Sequence, residues 1–67
     1  MKILTKIADW WAARRRKIDL DILWPVCKER APDLETARAI FWMHTCMDPA
    51  WLRLPEQERE RQVWALT

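Results

Sequence analysis

Six of the 67 residues are Trp, against one Phe and no Tyr or Gly, so indole rings supply nearly all of the large apolar surface. Each ring can bury roughly 150–250 Å² and brings an N–H that needs a partner once covered. A chain near 60 residues buries only about 60% of the surface its unfolded form exposes. Residues 1–67 are therefore expected to form one small helical domain, with fewer interior places than indoles. Trp10, Trp24 and Phe41 are assigned to the centre, and Trp11, Trp42 and Trp51 to the surface, where Trp is enriched among binding hot spots.

Periodicity points to an all-α fold, a small bundle of three to four helices. Ile3, Leu4, Ile7, Trp10, Trp11 and Ile18 fall within about 120° at helical spacing, the stripe of an amphipathic helix over about 3–17. Arg14, Arg15, Arg16 and Lys17 close it, where cations favour the negative end of the helix dipole. Asp19 or Asp21 is the expected cap of a second helix. Pro25 either starts that helix near Trp24 or distorts a first turn between Ile22 and Pro25. Pro32 ends it by Ala31.

Asp33 caps a third helix over about 34–47. One arc of it carries Leu34, Ala37, Ile40, Phe41, Met43, His44 and Met47, with Trp42 and Cys46 nearly opposite. A helix apolar on two sides is central, or presents its second side as an interface. Asp48 and Pro49 open a short turn through Trp51 and Leu52. Pro55 begins a last helix over about 55–66, supported by Glu56–Arg59 and Glu58–Arg61 pairs and anchored by Val63, Trp64 and Leu66.

The net charge is +2, split as +4 over residues 1–32 (eight Lys/Arg, four acids) and −2 over residues 33–67 (four against six). That asymmetry steers encounters weakly and falls short of a dedicated nucleic-acid footprint. Two cysteines are too few for a disulfide scaffold, and Cys27 and Cys46 are read as buried thiols in a reducing compartment, with a single bridge left open. No secretory signal or long apolar run is read in the sequence, and the expected location is the cytoplasm of whatever cell makes the protein.

Chemistry is sparse. His44 and Cys46, two apart on a helix, diverge by about 160°, whereas helical metal ligands sit three or four apart; no metal or cofactor site is assigned. With no Ser to activate and no Gly-rich phosphate loop, no catalytic residue is assigned and the chain is expected not to be an enzyme. The basic run beside Trp10 and Trp11 suits phosphate contact and base stacking, but its arginines spread over about 200° of the helix. A membrane-surface helix with Lys2 and Lys6 on its rim is set aside because Asp9 interrupts the cationic side and helix 1 is needed by the core.

The stretch Ile18–Pro25 (IDLDILWP), with Ala37–His44 and Asp48–Trp51, resembles small uncharacterised helical proteins of bacteria, phages and prophages, over roughly residues 10–54. The resemblance implies an accessory protein of a mobile element, of the kind that includes anti-CRISPR proteins, which block a larger bacterial nucleoprotein complex. Many of those are acidic nucleic-acid mimics, and a +2 chain departs from that pattern. The expected function is thus a non-enzymatic protein-binding module using Trp11, Arg14, Arg15, Arg38, Trp42 and Trp51, with aromatics filling pockets and arginines pairing with carboxylates or phosphates. The alternatives are a small nucleic-acid-binding protein using the basic end of helix 1, and a homodimer joined through Trp42 and Cys46.

Overall fold

The first half of the chain forms one continuous helical rod. In the computed structural model, which describes residues 2–67, α1 (Lys2–Ile18) runs through a single π-helical turn (Asp19–Leu23) into α2 (Trp24–Arg30). At ~1.5 Å per residue such a rod is about 43 Å long, close to the 45 Å long axis of the molecule. The π turn answers the problem that Pro25 sets. A proline lacks an N–H and its ring clashes with the carbonyl four residues back. Here the Trp24 N–H reaches to the Asp19 carbonyl, and the wider turn carries Pro25 without ending the rod. α2 starts at Trp24, one of the two expected geometries, and the distortion falls just upstream over Asp19–Leu23 instead of between Ile22 and Pro25. Neither Asp19 nor Asp21 caps α2, because a rod that never stops leaves no free N–H groups to cap.

Ala31 takes an extended conformation ahead of Pro32 and ends the rod. Asp33 then caps α3 (Leu34–Thr45), accepting the Thr36 N–H at 2.7 Å. Asp48 caps the short α4 (Pro49–Leu52) through the Ala50 N–H at 2.9 Å, and α5 (Glu56–Trp64) follows Pro55. The result is an all-α bundle, with no strand among the described residues.

The core forms around α3. Ala37, Phe41 and Thr45, four residues apart, are fully buried along one edge, between α2 and α5. Phe41 is the hinge of the packing: Trp24 and Trp51 both meet it edge to face, with ring centroids 5.8 and 5.5 Å away, an arrangement favoured by the ring quadrupoles. Cys27 and Val63 complete the buried cluster. On the second apolar side of α3, α5 lays Arg59 over the half-buried Trp42 ring at 4.6 Å, while Cys46 is exposed.

Two indoles exchange their expected places. Trp51 is fully buried and Trp10 is 64% exposed. Both follow from how α1 sits. Ala8, Ala12, Arg16 and Asp19, spaced four, four and three apart, form its inner side, with Ala12 and the facing Ala50 of α4 fully buried. Alanines let two backbones approach closely, and the Arg16 guanidinium locks the contact by donating to the Ala50 carbonyl at 2.7 Å. The apolar stripe of α1 is centred about 130° around the helix from this inner side. It therefore faces away from the core instead of into it.

Candidate interaction cleft

The C-terminal half of α1, the end of α3 and the start of α4 enclose an open cleft of about 420 Å³, lined by Trp11, Arg15, His44, Met47, Asp48 and Pro49. Trp11 stands on one wall at 47% exposure and Met47 on the other. Below them the carboxylates of Asp19 and Asp48 converge on the imidazole of His44. His44 Nε2 is 3.1 Å from Asp19 Oδ2, to which it is hydrogen-bonded, and 3.1 Å from Asp48 Oδ2. Both aspartate side chains are only 8% exposed.

Each carboxylate is oriented from behind. The Trp51 indole N–H donates to Asp19 Oδ2 at 2.9 Å from beneath the floor, and the Ala50 N–H holds Asp48 Oδ1. The π turn is what brings Asp19 here, since it is the first residue of that turn and continues the inner side of α1. Arg15 leans over the cleft, its Nε 4.0 Å from Asp19 Oδ1 and 3.9 Å from Asp48 Oδ2, with half of its side chain in solvent. The arrangement can hold a cation or a donor-rich group above a buried, doubly acidic floor, between an indole and a thioether.

The predicted contact residues separate into two groups. Trp11, Arg14 and Arg15 lie together with Ile18 around a shallow pocket on α1, and the Arg14 guanidinium lies 5.7 Å from the centre of the Trp10 ring. Arg38, Trp42 and Trp51 lie apart from these and make contacts within the chain. Arg38 Nε donates to the Leu66 carbonyl at 2.8 Å, fastening the C-terminal end of the chain. Trp42 is half-buried under Arg59. Trp51 lies wholly beneath the cleft. Cys46 is exposed and Cys27 buried, so the two are not the matched interior pair expected; burial pushes the Cys27 thiol up from its usual range. The basic run also disperses, Arg14 to Trp10, Arg15 to the aspartates and Arg16 to Ala50.

Asp19, His44, Met47 and Asp48 were missed as site residues by sequence reasoning. His44 lies in the last turn of α3 and Asp48 caps α4, and it is the short turn between the two helices that folds the Asp48 carboxylate back onto the imidazole. Asp19 is separated from them by 25 residues or more, and nothing local announces that pairing.

The exposed stripe of α1 continues from this cleft. Ile3, Leu4, Ile7, Trp10, Trp11 and Ile18 are all exposed, as is Ile22 in the π turn. Beyond Met47, Met43 and Ile40 extend exposed apolar surface along α3. The Lys2 side chain, assigned from sequence to the rim of this stripe, lies outside the described residues. No described helix is long and apolar enough to cross a membrane. No protein family, curated protein or solved structure matches the chain.

Proposed function

We propose that the chain is a non-enzymatic protein-binding module that presents the outward stripe of α1, from Ile3 to Ile18, to an acidic protein partner. The observation that carries this reading is the direction of the stripe: an amphipathic helix whose alanine side packs on its own chain and whose isoleucines and indoles do not. The six large apolar residues of the stripe are 41–72% exposed, and a run of exposed apolar side chains along one helix face is the kind of surface that marks an interaction site.

Charge selects the partner. The α1 segment carries Lys2, Lys6, Arg14, Arg15, Arg16 and Lys17 against Asp9, net +5. A second copy would bring like charge against like charge, while a carboxylate-rimmed groove would complement it and speed encounter. Trp10 under Arg14, with Trp11 next to it, supplies the aromatic and arginine chemistry of hot spots. Taken with the resemblance to mobile-element accessory proteins, the partner is a protein subunit of a larger bacterial complex, and binding blocks that complex sterically.

The test uses the purified chain and two variants on the stripe, Ile7→Lys and Trp11→Ala, each first shown to keep wild-type helicity and unfolding midpoint. A partner recovered with wild-type protein should re-form a 1:1 complex from purified components. Both variants should weaken it at least about tenfold, and binding should fall in about 1 M salt, where the screening length is ~3 Å. A complex indifferent to both variants overturns the proposal. So does a chain that leaves every protein unbound yet partitions onto anionic vesicles with a blue shift in Trp emission.

A further inference from the structure

We infer that Asp19, His44 and Asp48 form a binding site for a divalent transition cation of the zinc class, at the floor of the cleft and with a coordination position open to solvent. One ligand atom from each residue lies within 4.8 Å of the others. His44 Nε2 is 3.1 Å from each nearer carboxylate oxygen. Ligands held ~2.0–2.1 Å from a tetrahedral ion are themselves about 3.3 Å apart, so the imidazole and the two oxygens already stand at the separations such an ion requires on two of the three edges.

Electrostatics supplies an independent reason. Two carboxylates are more than nine-tenths buried, and buried charges persist only when paired. One imidazole nitrogen, His44 Nε2, stands 3.1 Å from an oxygen of each. The other cation beside Asp48 Oδ2 is Arg15, whose Nε makes a long ion pair at 3.9 Å from a side chain half in solvent. A divalent ion in place of the Nε2 proton neutralises both carboxylates at once, and Arg15, half in solvent, is free to swing away from it. Binding therefore takes His44 in its neutral form, with the Nε2 lone pair on the metal, and releases a proton from any molecule in which that nitrogen carried one.

The surroundings match what a metal site needs behind its ligands. The Trp51 N–H and the Ala50 N–H fix the two carboxylates from the side away from the cleft, the outer-shell support that orients metal ligands. An imidazole in the set favours a zinc-class ion over calcium or magnesium, which take oxygen. Three protein ligands beneath an open cleft leave a fourth position for water or for a donor group from a partner. The site does not depend on the stripe of α1 being an interface.

The experiment uses full-length protein carrying Cys46→Ser, because Cys46 is exposed and would itself take up metal. After chelation, Zn²⁺ is titrated by calorimetry and Co²⁺ by its visible absorption. Expected are one site per chain, a four-coordinate cobalt spectrum, and a rise in Tm with Zn²⁺ that EDTA reverses. Asp48→Asn keeps an oxygen to accept the Ala50 N–H, and His44→Gln keeps a side chain of similar reach; each should retain metal-free helicity and lose at least about tenfold in affinity. No binding at millimolar Zn²⁺ overturns the site, and so does affinity that both variants leave unchanged.

Discussion

Asp19 and Trp51 illustrate how far a single contact can decide the role of two residues. Trp51 belongs to a four-residue helix with no periodicity of its own, so nothing local separates a buried indole there from an exposed one. What decides is a partner 32 residues away, because the Asp19 carboxylate satisfies the indole N–H in the interior. Trp51→Phe preserves the ring packing on Phe41 while deleting that donor. It should cost about 1–3 kcal/mol, the usual penalty for stranding a buried polar group, read as a lower urea midpoint at unchanged slope. In an Asp19→Asn background the same change should cost clearly less, since paired groups are not additive. The thiols offer a simpler contrast. Cys46 is exposed and Cys27 is buried with its thiol pKa raised by burial, so a thiol reagent should modify Cys46 quickly and Cys27 only as the chain opens; rapid loss of both thiols would contradict this packing.

Helix boundaries were legible where side chains announce them. Asp33, Asp48 and the residue before Pro32 act as their types predict, because caps and prolines work through the nearest backbone. Helix faces were less legible, since a wheel shows which residues share a side and not what that side meets. Arg59 shows the difference. Its spacing suggests a surface pair with Glu56, yet it is buried, donates to the Thr45 carbonyl at 3.1 Å and covers Trp42. It joins the start of α5 to the end of α3. Arg59→Met keeps the apolar cover but leaves that carbonyl without its charged donor, and should cost about 1–3 kcal/mol in chemical denaturation. The other expected pair on α5 does form: Glu58 accepts from Arg61 Nε at 3.0 Å and from Gln62, and these bonds, the one from Arg61 first, hold its carboxyl down from 4.5 to about 2. A depressed acid stabilises the folded state above its unfolded pKa and loses that support as pH falls through the folded value. The Tm advantage of wild type over Glu58→Gln should therefore be full near neutrality, shrink from about pH 4.5 downward and vanish near pH 2.

Across the whole molecule the decisive fact is that α1 has two working sides, only one of which the chain uses for itself. The sequence pattern located the apolar stripe correctly but could not orient it, because an amphipathic pattern carries no information about which neighbour is available. The tighter contact went to Ala8 and Ala12, whose small side chains admit α4 and the Arg16 to Ala50 bond. Substitutions on the two sides should then have opposite consequences. Ile3→Gln and Ile7→Gln remove side chains that are 72% and 56% exposed, and each should shift stability by no more than about 0.5 kcal/mol, as surface changes do. Ala12→Leu inserts bulk where α1 meets α4 and should cost about 1–3 kcal/mol by overpacking. It should also pull the Asp19 carboxylate away from Trp51 and His44, because the same helix carries both contacts. Denaturation of the three variants, measured at two protein concentrations tenfold apart, separates the outcomes. If the isoleucine variants unfold as easily as Ala12→Leu, and more so at the lower concentration, the stripe is already covered in solution by another copy and is not free for a different protein.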